Sequence, residues 1–140
     1  MVRIGGSEGS RVRRSGGFTL IELMIVMSLI VILAGIGLTV YANSVTRAKE
    51  AVLKEDLYRM RQAIDQYYAD KNRYPESLDV LITERYLRAM PVDPFTNSVA
   101  TWQTIQADIE PGNITAAPGI YDVKSGAPGR ALDGTAYNEW

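Results

Sequence analysis

Glu22 is the one side-chain charge between Phe18 and Ala42, and it lies near the start of a long apolar run. Insertion scales put an acidic residue at the centre of a membrane helix at about 2.5–3.5 kcal/mol, and less near its end. A group this costly usually has a partner. A chain cut after Gly17 would supply one: a free amine on Phe18, one helical turn before the carboxylate. Within one helix that amine could fold back toward Glu22. Between staggered helices, the amine of one chain could meet the carboxylate of another. In low dielectric such an intermolecular pair favours one axial register, because unpaired charges are expensive there. Repeated head to tail, the contact builds an open helical filament rather than a closed ring. The plainer alternative is a single-span anchor whose acid sits hydrated among headgroups.

Other chemistry is sparse. Histidine and cysteine are absent, which excludes histidine-based triads, the usual zinc sites and disulfides. Ser98 and Ser125 have no histidine to activate them, and no motif pairs the scattered acids. Gly126-x-x-Gly129 lies in a tail and joins no strand to a helix, so it is not a phosphate loop. No enzymatic activity is expected. One metal site is conceivable: Asp133-Gly134-Thr135, with loop carbonyls from Ser125 to Ala131, offers hard oxygen ligands for calcium. The same Asp-Gly dipeptide is also a common turn. There is no basic stripe interleaved with aromatics, so no nucleic-acid partner is expected.

The elements that must hold these residues follow from composition. The chain has 140 residues, 15 Lys plus Arg, 16 Asp plus Glu and a net charge of −1. Residues 1–17 are basic and rich in glycine and serine, like a targeting leader. An ordinary secretory signal is cut after its apolar core. Here the small pair Gly16-Gly17 precedes the core, so a cut there would remove the arginines and keep the apolar segment. Residues 18–42 are long enough to span a bilayer, at roughly 37 Å of helix. Four arginines precede the span and Arg47, Lys49 and Lys54 follow it, a slight lean toward a cytoplasmic N-terminus.

Residues 43–140 read as a small domain. No proline precedes Pro75 and no glycine lies between Gly37 and Gly112, so the helix can continue beyond the apolar segment. Leu53, Leu57, Met60, Ile64 and Tyr67 repeat at helical spacing and mark one buried face. Val45, Ala48 and Val52 form an earlier strip on a drifting face. The charges Glu50, Lys54, Asp56, Arg59, Arg61 and Asp65 read as a solvated surface. Asn72-Arg73-Tyr74-Pro75 ends the helix, and Pro75 to Ile82 suits a short second helix with Pro75 in its first turn. Residues 100–106 and 119–124 read as strands, with a turn over Ile109–Pro118 between them. The glycine-rich tail should be docked by the rings of Tyr137 and Trp140.

Gly17-Phe18-Thr19-Leu20-Ile21-Glu22 resembles the processing site of the type IV pilin-like superfamily, the class III signal peptides. The resemblance implies that a prepilin peptidase cuts between Gly17 and Phe18 and N-methylates Phe18. It also implies that Glu22 pairs with the amine of a neighbouring subunit during assembly. Later segments are similar to the major pseudopilins of type II secretion systems: Asn72-Arg73-Tyr74-Pro75, Leu87-x-x-Met90-Pro91-x-Asp93-Pro94-Phe95-x-Asn97, Tyr121-Asp122-Val123-x-Ser125-Gly126 and Glu139-Trp140.

The expected fold is therefore α+β and pilin-like: a long N-terminal helix, transmembrane then amphipathic, packed on a small antiparallel β-sheet. The expected role is that of a subunit held in the bacterial inner membrane, single-pass, with its C-terminal domain in the periplasm. It would polymerise with copies of itself and other pseudopilins, on an inner-membrane secretion platform, into a filament that drives export. The alternative is a type IV pilus subunit for adhesion or motility. Two departures stand out. Relatives commonly carry a proline late in the apolar segment, where this chain has Gly35-Ile36-Gly37. The family's calcium loop usually brings more than one acid, where this chain offers Asp133.

Overall fold

The computed structural model describes residues 1–2, 5, 16–108 and 118–140. The chain divides into two compact units, Met1–Thr39 and Val40–Trp140. Helix α1 (Leu20–Lys71) runs through the boundary between them. The expected leader falls largely outside the described residues, as does most of the expected turn over Ile109–Pro118.

In the N-terminal unit, α1 starts where Thr19 caps it. The Thr19 Oγ1 accepts the Glu22 N–H at 3.2 Å, and the Thr19 carbonyl accepts the Leu23 N–H. Thr19-x-x-Glu22 also has the spacing of a capping box, a signal the sequence carries. Glu22 stands in the first helical turn, where a negative charge complements the helix dipole. The apolar side chains that follow are exposed all round. Among the described residues, α1 is the one helix long and apolar enough to cross a membrane. The hydroxyls within it bond inward to the turn before: Ser28 to the Met24 carbonyl, Thr39 to Gly35, Ser44 to Val40 and Thr46 to Ala42. The helix is unbroken through Gly35 and Gly37.

In the C-terminal unit, the predicted stripe Leu53, Leu57, Met60, Ile64 and Tyr67 is buried, joined by Ala63. The earlier strip is not, since Val45 and Val52 remain exposed. Helix α1 ends at Lys71, and Asn72 follows in the left-handed region at φ 55°, donating back to the Tyr68 carbonyl at 2.8 Å. The short helix α2 (Leu78–Thr83) begins later than predicted. Pro75 lies before it, buried, and its carbonyl accepts the Ile120 N–H at 2.7 Å. That contact ties the helix–helix connection to the sheet.

Strands β1 (Gln103–Gln106) and β2 (Ile120–Lys124) pair antiparallel, with Gln103 opposite Lys124 and Gln106 opposite Ile120. Ile105 faces Asp122, so Tyr121 is an extra residue and the ladder bulges there. The bulge shifts the alternation by one position. It explains why Ile120 and Val123, three apart, are both buried. They join Trp102, Leu81 and the α1 stripe in one core. Arg61 anchors α1 to β2: its Nε donates to Asp122 Oδ1 at 2.8 Å and its Nη2 to the Val123 carbonyl at 2.9 Å. This residue was expected on a solvated face, and its partners are too distant in sequence to be read from spacing.

Candidate functional site

Two regions carry the residues singled out by chemistry. The first is the start of α1. Gly17 is described outside any helix, and a Cβ placed on it would meet nothing within 4 Å. The chain's own fold therefore does not require glycine there. Phe18 is 86% exposed, beside the Thr19 cap. Glu22 forms no ion pair with another described residue. The structure thus brings Gly17, Phe18 and Glu22 into one accessible stretch at a helix N-terminus.

The second region is the C-terminal loop, and its organising residue is Glu50. The buried stripe extends back by one more helical step to this residue, which is only 9% exposed. Glu50 Oε1 accepts the Leu132 N–H at 2.8 Å and the Tyr137 hydroxyl at 3.0 Å. A carboxylate in phase with a buried stripe signals a polar partner from another element; treating Glu50 as surface overlooked that phase. Tyr137 stacks on Phe95 at 4.2 Å between ring centroids and meets Trp140 edge-on at 5.2 Å. The Lys54 ammonium lies 4.3 Å from the Trp140 ring centroid, a cation–π contact. The tail is docked by its rings, as expected.

Asp93 is the second buried acid, with 0% exposure. Its Oδ1 accepts the Phe95 N–H at 2.8 Å and the Thr96 N–H at 3.3 Å, and its Oδ2 accepts the Ser125 hydroxyl at 2.9 Å. Ser125 Oγ in turn accepts the Ala127 N–H at 3.0 Å. Asp93 thus joins the turn after Pro91 to the segment after β2, and a carboxylate so supplied with donors tolerates burial.

Asp133 lies at the tip of the loop. Its Oδ1 accepts both the N–H (3.0 Å) and the hydroxyl (2.6 Å) of Thr135, whose Oγ1 accepts the Trp140 Nε1–H at 2.8 Å. The hydroxyl bond first, then the N–H, holds the Asp133 carboxyl below the usual range, and the charge of Lys54 adds to the effect. Asp133-Gly134 does make a turn: the Gly134 N–H donates to the Ala131 carbonyl at 2.9 Å, and Gly134 takes φ 90°. Among the described residues no three acidic, histidine or cysteine side chains come together as a metal site.

Burial and then the Glu50 bond push the Tyr137 phenol from 10.0 up to about 12. The bond to Asp70 chiefly does the same for Tyr86. A raised tyrosine pKa supports the fold below the unfolded value and is lost as pH rises through the folded one. Near-ultraviolet titration of the folded chain should therefore show two of the eight tyrosines ionising last, together with weakening stability between pH 10 and about 12. Glu50→Gln should bring one of them back toward 10. A titration in which all ionise together would refute the buried Tyr137–Glu50 bond.

The family described as "Prokaryotic N-terminal methylation motif" matches residues 12–38, which cover the first region. The type II secretion system core protein G of Aeromonas hydrophila is 30% identical over 101 residues, spanning 61% of this chain and 71% of that protein. Its namesake from Pseudomonas aeruginosa is 32% identical over 101 residues, with the same 61% and 71% coverage. The fimbrial protein EcpC of Eikenella corrodens is 34% identical over 122 residues, 86% of this chain and 74% of that protein. No solved structure matches. With the methylation motif on the capped start of an apolar helix, and an α+β C-terminal unit behind it, the chain belongs to the family of type II secretion system core protein G, the pilin-like major pseudopilins.

Proposed function

We propose that this chain is a structural subunit of a periplasmic pseudopilus that drives protein export. A prepilin peptidase removes residues 1–17 and methylates the new amine of Phe18. The subunit then waits in the bacterial inner membrane, with its N-terminus cytoplasmic and its C-terminal unit periplasmic. It polymerises with copies of itself and other pseudopilins on the inner-membrane secretion platform. The observation that carries this reading is Glu22 in the exposed first turn of an apolar helix, inside the segment matched by the methylation motif. The cut creates a cation for that anion. Apolar surroundings make their pairing selective, because a subunit in the wrong register leaves both charges unpaired. Gly17 fits the same account, since its own chain leaves it room for a side chain and the need for glycine then lies with the peptidase.

A second reading has support in the likeness to EcpC, which spans more of this chain than the core protein G matches reported above. In that reading the subunit builds a type IV pilus at the cell surface. N-terminal mass analysis combined with imaging decides the matter. The native chain should lose residues 1–17 and gain one methyl group, while Gly17→Ala should keep its leader. Glu22→Ala should be processed and membrane-held but assemble poorly. Unchanged processing of Gly17→Ala would remove the peptidase role, and normal filaments from Glu22→Ala would remove the pairing. Surface fibres at native expression would favour the pilus.

A further inference from the structure

Calcium holds a loop together by drawing about six to eight oxygen ligands, several of them anionic, around one cation. The C-terminal loop of this chain already has cations and donors in those roles. The Arg130 Nη1 donates to the Gly134 carbonyl at 3.0 Å, so a guanidinium engages the backbone oxygen next to Asp133. Lys54, the cation on the Trp140 ring, also acts on the Asp133 carboxyl. Thr135 directs two hydrogens at Asp133 Oδ1. A divalent cation entering here would meet one carboxylate flanked by two positive side chains, so the donor set does not suit calcium.

We infer that the C-terminal loop of this chain closes without a divalent cation, through a clasp of its own side chains centred on Glu50. Glu50 supplies the anion from α1 and receives the loop at Leu132 and Tyr137. Its burial sets it apart from Asp133, which is exposed. Arg130 closes the other side, with the bridge between Arg130 and Ala136 and the Ala131 N–H bonded to the Thr135 carbonyl at 2.7 Å. A calcium site would gather the loop around a ligand taken from solution. The clasp does so with groups already in the chain, and its strength is therefore independent of metal concentration.

The inference stands apart from the filament reading and is tested on the full chain in detergent, by thermal unfolding followed through tryptophan fluorescence. Midpoints measured in calcium chloride and in EGTA should coincide. Glu50→Gln should lower the midpoint by about 4–8 °C, equally with and without calcium. A calcium site filled a hundredfold above its Kd would instead raise the native midpoint by about 10 °C or more. Such a rise, or saturable calcium uptake by titration calorimetry, would overturn the inference. So would a Glu50→Gln chain that melts with the native one. If Glu50→Gln fails to fold, the native comparison in calcium and EGTA still decides.

Discussion

Gly126→Ala is expected to disrupt the C-terminal unit more than any single surface change. A Cβ on Gly126 would collide with the Thr101 carbonyl oxygen and lie 3.1 Å from its carbon. Thr101 precedes β1 and Gly126 follows β2, so the clash falls beside the Gln103–Lys124 pair at one end of the sheet. Both partners are backbone. No rotamer change relieves the contact, and the strands must separate or shift. Overpacking a core typically costs about 1–3 kcal/mol, and an obstructed backbone falls at or beyond the upper end. For a domain of roughly a hundred residues, that lowers the unfolding midpoint by about 12 °C or more. Circular dichroism melting of the full chain reads it. A midpoint within experimental error of the native one would show that the two backbones do not meet.

The second large effect is Ile64→Ala. Ile64 has 0% exposure and lies in the middle of the buried stripe, within the cluster that includes Leu81, Trp102 and Val123. Truncation removes transfer free energy and leaves a cavity, together about 2–5 kcal/mol. That is a large share of a typical domain stability of about 5–15 kcal/mol. Val52→Ala is the natural control. It lies on the same helix next to Leu53, yet it is 49% exposed and should change stability by no more than about 0.5 kcal/mol. Denaturant unfolding of the two variants should give well-separated midpoints. Equal midpoints would mean that the helix buries a different face.

The contrast between Ile64 and Val52 also shows what could be read from one sequence. The stripe from Leu53 to Tyr67 was legible because burial imposes a helical period on apolar residues, and that period survives in the letters. Its extension to Glu50 was not recognised, because residue type pointed to solvent while phase pointed to the core. The strands were legible in outline, but the bulge at Tyr121 was not, because a one-residue insertion depends on the partner strand. Arg61 with Asp122 and Asp93 with Ser125 join segments far apart in the chain. No local spacing encodes such pairs. Pro75 was read as a helix starter, whereas its carbonyl receives Ile120 from the sheet. At the first site, Gly17, Phe18 and Glu22 stand out through sequence spacing, and the same spacing also carries the Thr19 cap, as a capping box that the apolar run and the lone acid overshadow.

The inward-bonded hydroxyls of α1 have a consequence for how the helix changes surroundings. Ser28 and Thr39 each spend their proton on a carbonyl of the preceding turn. Neither then needs a partner from lipid, water or another helix. In the assembly proposed for this subunit, the apolar segment would pass from a bilayer into a bundle of like helices without renegotiating those bonds. Glu22 is the exception. Within that segment the preference for one resting place over another thus falls on the start of the helix, where Glu22 and the proposed Phe18 amine stand, while most of the surface that follows is apolar.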